Sequence, residues 1–519
     1  MKKKLRVLSV LSVFIAFTLL FSACGSTNNA DSTNTSNTAE STSSASGGDP
    51  VLKDGKMEQL NIFFPGGNSN PADLADVENS INNIIKDKID ATIKLNISEW
   101  GVYSDKLNML LSSGEDADIV FTWSSSMIPA KNGQVQKITQ FIQEYAPEAY
   151  SSFERYMDAC KVDGEIYGLP TFHEYASQGG LVCRKDIFDQ TGIDASTVKS
   201  WADIEMVLKK VHESNPRMTL LTNAEQTSGP LQYYNTGVFD IIQTDSQLSV
   251  YVNNQDGKIK VVDKFSTPEY REMAEKAFDW NKKGYFIPDA TTVTETRQDL
   301  IRAGNTFGFI GLIHPGTVKQ ETANSGKEMI ALPVTDGVLN TGGVNFAQYM
   351  IPTASKNPEK AVAFLNMLYS NMDVQNLFSY GVEGKDYVIK DKDKGIIGYP
   401  DGKNSTSVGW SNETWLTGNA SISYIWETQS SSIWQDYLDF NAKAKVSPLY
   451  GFVYDPSNVR NEIAATKNVI TKYRAVIEAG YYEPNKSVAA LNNELKSAGM
   501  QKIVDDAQQQ VDKWLSSKK

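Results

Sequence analysis

Residues 58–68, EQLNIFFPGGN, begin the part of the chain that decides the fold. The apolar run at 60–64 is stopped by Pro65 and two glycines, which is typical of a buried β-strand that ends in a turn. Two further runs of this kind follow at 92–97 (TIKLNI) and 118–123 (DIVFTW). The segments between the runs carry apolar residues three and four positions apart, which indicates amphipathic helices. This β-α-β-α-β order predicts a parallel, doubly wound sheet in an α/β fold.

The carboxyl ends of these three predicted strands carry small polar and aromatic residues. They read PGGN at 65–68, SEW at 98–100 and WSSS at 123–126. Ligands of open α/β sheets bind in the crevice beyond the carboxyl ends of the strands. We therefore predict a ligand site at this edge, with Trp100, Trp123 and Ser124 among its residues.

A second α/β unit is predicted to begin after Pro170, with strands at 180–184, 218–222 and 306–312. Residues 166–170 and 329–333 are both short apolar segments that end in Leu-Pro, and we interpret them as two crossings between lobes. Lobe 1 is then predicted to contain residues 57–170 and about 335–445. Lobe 2 is predicted to contain residues 171–334 and about 446–519, including helical patterns near the C-terminus.

Composition limits the function of this 519-residue chain. Its length favours two lobes over a single core. Its formal net charge of −12 argues against nucleic acid as a partner. With three histidines, and neither a CxxC nor an HExxH motif, the sequence shows no ligands for a structural zinc site and predicts no cofactor, while a calcium site is left open. Beyond the N-terminal region, the only cysteines are Cys160 and Cys183, which could form a disulfide or remain two buried thiols.

The N-terminal region has the features of a lipoprotein signal. Four basic residues precede an apolar run at 7–21, which is followed by SACG at 22–25. We predict a signal peptide at 1–23, a lipidated Cys24 that anchors the protein to the outer face of the cell membrane, and a disordered Ser/Thr/Asn-rich tether at 24–56. A plain secretory signal with an incidental cysteine is the alternative.

Four stretches of the chain resemble extracellular solute-binding proteins of the carbohydrate-uptake (family 1) type. These stretches are 106–120, 162–170 (VDGEIYGLP), 183–193 and 356–365 (KNPEKAVAFL). Residues 451–457 (GFVYDPS) and 461–465 further resemble the LipO-type branch, which has an extra C-terminal domain. The resemblance implies a two-lobed periplasmic-binding-protein fold (type II-like) with crossover strands. It also implies a sugar or oligosaccharide ligand, permease subunits of an ABC importer as partners, and a monomer without catalytic activity.

A sugar presents apolar C–H faces edged by hydroxyl groups, so aromatic rings and polar side chains together can bind it in a closed cleft. Beyond the strand ends, residues of these types occur near the crossings, in the second lobe and in an irregular region around 383–424. The further predicted ligand-binding residues are Phe172, Glu174, Tyr175, Tyr233, His314, Asn345, Trp410 and Glu413. Trp415 belongs to the same aromatic and acidic cluster as Trp410 and Glu413.

Each of these residues also has a structural interpretation. Phe172 and Tyr175 could pack in a hinge, His314 could be a hydrogen-bonded structural histidine, and Trp410 could be buried against its own loop. For the whole protein, the alternative function is that of a lipid-anchored surface glycosidase or other carbohydrate-processing enzyme. The sequence has no GxSxG motif or P-loop, and its 62 acidic residues make chance carboxylate pairs inevitable.

Overall fold

The computed structural model describes residues 52–123, 127–226, 228–243, 248–253 and 258–518. The predicted signal peptide, Cys24, most of the tether and Ser124 lie outside these residues. In the described part of the chain, no helix is long and apolar enough to cross a membrane.

The strands alternate with helices along most of the chain. In chain order, the strands are β1 (Glu58–Gly66), β2 (Ala91–Glu99), β3 (Ile119–Trp123), β4 (Lys161–Val162), β5 (Glu165–Ile166), β6 (Gly168–Pro170), β7 (Ala176–Arg184), β8 (Thr219–Thr222), β9 (Asp240–Gln243), β10 (Leu248–Asn253), β11 (Lys258–Asp263), β12 (Thr306–Ile313), β13 (Met329–Pro333), β14 (Val338–Leu339), β15 (Ala347–Met350), β16 (Val388–Asp391), β17 (Ile396–Gly398), β18 (Ile425–Trp426) and β19 (Lys445–Val446). The α-helices are α1 (Leu74–Ile89), α2 (Trp100–Ser113), α3 (Ile128–Lys131), α4 (Thr139–Tyr145), α5 (Pro147–Phe153), α6 (Lys185–Phe188), α7 (Trp201–Ser214), α8 (Pro268–Lys282), α9 (Arg297–Arg302), α10 (Thr317–Ser325), α11 (Thr341–Val344), α12 (Pro358–Ser370), α13 (Met372–Tyr380), α14 (Ile433–Lys443), α15 (Arg460–Glu478), α16 (Pro484–Ser497) and α17 (Met500–Ser517).

The first sheet has the strand order β2-β1-β3-β15-β6. Strands β2, β1 and β3 are parallel, whereas β15 runs antiparallel to β3 and β6. The predicted parallel β-α-β-α-β unit is therefore confirmed. Alternate residues Leu60, Ile62 and Phe64 of β1 are buried because they point into the core that α1 covers.

The second sheet is built around β7, which pairs antiparallel with β12, β13 and β14. Strand β8 runs parallel to β12 on its other side, and the short β19 pairs with β14. The three strands predicted for the second unit correspond to β7, β8 and β12. The helices α15, α16 and α17 pack on the core of this sheet through buried residues such as Leu491, Ile503 and Val511.

The chain passes from the first sheet to the second through residues 171–175, between β6 and β7. It returns after β13 through β14 and α11 to β15. The two predicted crossing segments, 166–170 and 329–333, therefore directly precede the two connections between the sheets. Strand β14 lies within the segment that we assigned to lobe 1, but it pairs with β7 of the second sheet. The lobe boundaries stay a prediction.

The two cysteines of the described chain, Cys160 and Cys183, are both buried and form no disulfide. Cys183 belongs to β7 of the second sheet, whereas Cys160 directly precedes β4 and packs near the first core. Of the two alternatives that the sequence left open, the structure therefore has two buried thiols.

Candidate functional site

Four aromatic side chains meet at the carboxyl edge of the first sheet. We call Trp100, Trp123, Phe346 and Trp415 the aromatic cluster. Trp123 ends β3 and Trp100 follows β2, and their ring centroids lie 5.2 Å apart. Trp415 stacks on Trp100 at 5.5 Å, and Phe346 lies 6.0 Å from Trp415. The three tryptophan rings are half-buried and Phe346 is 38% exposed, so the cluster presents apolar ring surface to solvent.

Polar groups border the aromatic cluster. The indole Nε1 of Trp123 donates a hydrogen bond to Oγ of Ser104 at 3.3 Å. Glu413 is half-buried two residues before Trp415; burial raises the pKa of its carboxyl group, and a hydrogen bond with the Trp415 side chain opposes this shift. The edge therefore combines stacking surfaces with a carboxyl group in reach of one ring.

The first crossing segment is mostly structural. Phe172 is buried and packs edge-on against Trp434, with ring centroids 6.2 Å apart. Tyr175 is also buried, and its hydroxyl group donates a hydrogen bond to the carbonyl oxygen of Thr171 at 2.8 Å. Phe172 and Tyr175 therefore pack at the crossing, as the alternative structural interpretation expected. Because both rings are buried, neither is open to a ligand.

His173, between them, connects the crossing to the aromatic cluster. Its Nε2 lies 3.0 Å from the carbonyl oxygen of Gly343, and its ring lies 6.1 Å from that of Phe346. Burial lowers the pKa of His173, and the nearby Glu174 and the carbonyl groups oppose this effect. The imidazole thus joins the first crossing to the residues that precede β15.

Glu174 is half-buried and reaches the second sheet. Its carboxylate oxygen lies 3.8 Å from Nε2 of His314, the residue that follows β12. The Tyr437 ring lies 6.3 Å from the imidazole ring of His314. Two predicted site residues, Glu174 and His314, are therefore neighbours at the carboxyl end of a second-sheet strand.

Tyr233 lies in the loop after β8, at the same edge of the second sheet. The side chain is half-buried, and its hydroxyl group donates a hydrogen bond to the exposed carboxylate of Glu225. Nε2 of Gln232 donates to the other oxygen of that carboxylate at 3.1 Å. This loop presents a tyrosine, an amide and a carboxylate beyond the strand ends.

Asn345 and Trp410 point into the interior. Asn345 is 2% exposed, and its Nδ2 donates a hydrogen bond to the carbonyl oxygen of Ala159 at 3.1 Å. Trp410 is 2% exposed, and its Nε1 donates to the carbonyl oxygen of Phe378 at 3.1 Å. Both side chains are buried in the interior, in contrast to the solvent-accessible rings of the aromatic cluster.

Sequence reasoning did not select Phe346, Trp415 or Tyr437. Phe346 adjoins the selected Asn345, and Trp415 was considered together with Glu413, so a signal was present for both. No such signal points to Tyr437, because only the fold brings α14 to the crossing. In the described part of the chain, no group of three or more His, Cys, Asp or Glu residues is placed to hold a metal ion.

Comparisons with known proteins place this geometry in a family. The family model described as "Bacterial extracellular solute-binding protein" matches residues 71–375, and one for a domain of unknown function matches residues 448–516. A carbohydrate ABC transporter substrate-binding protein of Streptococcus pneumoniae is 27% identical over 481 residues, which cover 91% of this chain and 93% of the relative.

Solved structures agree with this match. The N-glycan transport solute binding protein (NgtS) of S. pneumoniae superposes with a TM-score of 0.76 at 24% identity, covering 89% of this chain and all of that one. Its complex with Man5GlcNAc superposes with a TM-score of 0.66 at 25% identity, covering 89% and 99% of the two chains. These neighbours have the two-lobed fold of solute-binding proteins, which confirms the predicted fold class. Since the family model matches more than half of the 519 residues, this chain belongs to the bacterial extracellular solute-binding proteins.

Proposed function

We propose that this protein captures an oligosaccharide between its two lobes and delivers it to the permease of an ABC importer. The observation that carries the proposal is the aromatic cluster at the carboxyl edge of the first sheet. Its accessible rings match the apolar faces of pyranose rings, which bind aromatic side chains by stacking. Neighbouring aromatic rings that are open to solvent often mark a ligand or partner site.

The second lobe supplies polar groups for the sugar hydroxyls. Glu174 and His314 lie at the crossing, and Glu225 and Tyr233 lie in the loop after β8. Carboxylate oxygens accept hydrogen bonds from hydroxyl groups, whereas the imidazole can donate or accept. This division between an aromatic lobe and a polar lobe suits a ligand that is enclosed when the lobes close about the crossing segments.

The comparisons support the choice of ligand class. The S. pneumoniae relative is named as a carbohydrate transporter component, and NgtS was solved with a mannose-containing glycan. We therefore place oligosaccharides of mannose and N-acetylglucosamine first among candidate ligands. In this proposal the protein binds and releases its cargo unchanged, and the partner ATPase supplies the energy for uptake.

Titration monitored by tryptophan fluorescence tests this function, because Trp100, Trp123 and Trp415 lie at the proposed site. We expect saturable quenching by Man5GlcNAc or another member of a glycan panel, with the glycan recovered intact by mass spectrometry. Absence of saturable binding across the panel would reject the proposal. Appearance of a shortened glycan would instead support the alternative of a surface glycosidase.

We also propose that Cys24 carries the lipid that holds the protein at the outer face of the membrane. The support is the sequence SACG at 22–25, which follows a basic and then an apolar segment. Acyl chains on one cysteine contribute about 0.8 kcal/mol per buried CH₂, so two or three chains anchor a protein stably. Replacing Cys24 with alanine should remove palmitate labelling and release the protein into the medium. Retention of the variant on washed cells would contradict the proposal.

A further inference from the structure

Helix α15, one of the C-terminal helices, contacts the loop that carries Glu225 and Tyr233. We call residues 223–226 and 228–238 the Glu225 loop. This loop follows β8, whose parallel neighbour β12 ends next to His314. Its carboxyl-edge position places it beside the crossing, where the proposed ligand would meet the second lobe.

Glu225 organises this loop from within. Its carboxylate accepts hydrogen bonds from the side chains of Tyr233 and Gln232, and its carbonyl oxygen accepts one from Oγ of Ser228 at 2.7 Å. The side chains that face the ligand edge are therefore held by contacts within the loop. These contacts fix the shape of the loop but not its position on the rest of the lobe.

The end of helix α15 packs on the loop at Gly229, in addition to the stacking of Tyr234 on Trp201 and the hydrogen bond from Arg297 to the carbonyl oxygen of Ala224. A Cβ atom added to Gly229 would lie 2.3 Å from Cβ of Glu478 and 2.6 Å from its carbonyl carbon. The loop backbone thus packs directly on the last turn of α15, with no space for a side chain. On the other side of this turn, a Cβ on Gly480 would lie 2.1 Å from the carbonyl oxygen of Ala277 in α8. The end of α15 is therefore wedged between the Glu225 loop and α8.

An ion pair between Arg474 and the buried Glu478 lies at this end of the helix. The Glu478 side chain is 3% exposed, and its carboxylate lies 3.4 Å from Nε of Arg474, one turn earlier. The Arg474 side chain is 26% exposed and is close enough to Glu225 and Tyr233 for its charge to act on both. Removing Arg474 takes away the cation that pairs with the buried Glu478, which leaves Lys264 as the other positive charge that acts on this carboxyl group.

From these contacts we infer that Arg474 and Glu478 are positioning residues for ligand capture. They hold the end of α15 against the Glu225 loop, so the C-terminal helical domain sets the affinity of the second lobe for the glycan. This inference rests on the proposed function for its ligand. It gives the domain that spans residues 448–516 a role in binding, although none of its residues needs to touch the cargo.

Arg474→Met, Arg474→Lys and Gly229→Ala test this role, with Lys472→Met as the control. Lys472 lies on the same helix, and its side chain is 60% exposed and pairs with Glu494. Two readouts are needed for each variant: the Kd for Man5GlcNAc, and deuterium uptake by peptides that cover residues 223–238 in the free protein. Gly229→Ala displaces the loop without removing a charge, so it tests the same contact if Arg474→Met folds poorly.

We expect Arg474→Met and Gly229→Ala to raise the Kd about threefold to thirtyfold, a range typical of residues that act through a neighbour. Deuterium uptake in the loop should rise as well, and Arg474→Lys should restore much of both properties. Wild-type affinity and uptake in Arg474→Met and Gly229→Ala would overturn the inference. If the wild-type protein bound no glycan, the proposed function would fail, and loop uptake alone would decide whether α15 holds the loop.

Discussion

The indole rings of Trp100 and Trp415 stack with their centroids 5.5 Å apart and their planes 25° from parallel. Trp100 begins α2 in the first β-α-β unit, whereas Trp415 belongs to the irregular region between α13 and α14. This contact makes the irregular region part of the candidate site at the carboxyl edge of the first sheet. The region therefore contributes to the candidate site as well as to the packing of the lobe.

Replacing Trp415 with alanine should weaken glycan binding. The substitution removes one stacking surface and releases Trp100 from its neighbour, and an aromatic contact contributes about 1 kcal/mol beyond its buried area. We expect the Kd to rise about tenfold by isothermal titration calorimetry. Trp426→Ala is the matched control, because Trp426 is also half-buried but stacks on Tyr399 instead of on Trp100. An equal loss of affinity in both variants would show that the effect is not specific to the aromatic cluster.

Replacing Trp410 with alanine should affect stability instead of binding. Its ring is buried in the first core, and Nε1 bonds the carbonyl oxygen of Phe378. Truncating a buried aromatic side chain usually costs about 3–5 kcal/mol in the free energy of unfolding. Urea denaturation should detect this loss, while the folded variant keeps wild-type affinity for the glycan. A variant of normal stability that binds poorly would place Trp410 at the ligand after all.

The sequence was a good guide to the strands because their signal is local. Apolar residues alternate in β1 and β2 and are consecutive in β3, and these short runs mark each strand without reference to the rest of the chain. The carboxyl edge then follows from the order of the elements, and so do Trp100 and Trp123 at its rim. Motifs in the second unit located β7, β8 and β12 in the same way.

The individual site residues depended on contacts between distant parts of the chain. Phe172 and Tyr175 stand where two lobes meet, but Trp434 covers one ring and Tyr156 the other. Trp410 and Trp415 are similar residues in one polar stretch, and only packing on α13 and on α2 distinguishes the buried ring from the half-exposed one. No periodicity in the sequence encodes that difference, because the region contains little regular structure.

The two buried thiols should resist modification in the native protein. Cys160 and Cys183 are fully buried, and burial raises the pKa of both thiols, so little reactive thiolate forms near neutral pH. A folded chain without Cys24 should react only slowly with an aromatic disulfide reagent. In guanidinium chloride both thiols should react, so that two equivalents of the reagent's thiol are released per chain. Adding a reductant should leave the Tm unchanged. Detection of an oxidised pair by mass spectrometry would contradict the separation of the two residues.

Asp240 should make the protein less stable as the pH rises through the weakly acidic range. Burial raises the pKa of its carboxyl group to about 6, although a hydrogen bond with Asn340 opposes this shift. An aspartate in an unfolded chain titrates near 4, so between about pH 4 and pH 6 the folded state binds more protons and loses stability as they dissociate. Relative to wild type, the free energy of unfolding of Asp240→Asn should therefore increase by roughly 2 kcal/mol when the pH is raised from about 4 to 7.5, as measured by urea unfolding. The exposed Asp439→Asn is the control. If the stability difference between Asp240→Asn and wild type were the same at both pH values, the pKa of Asp240 would be equal in the folded and unfolded states, and burial would not raise it.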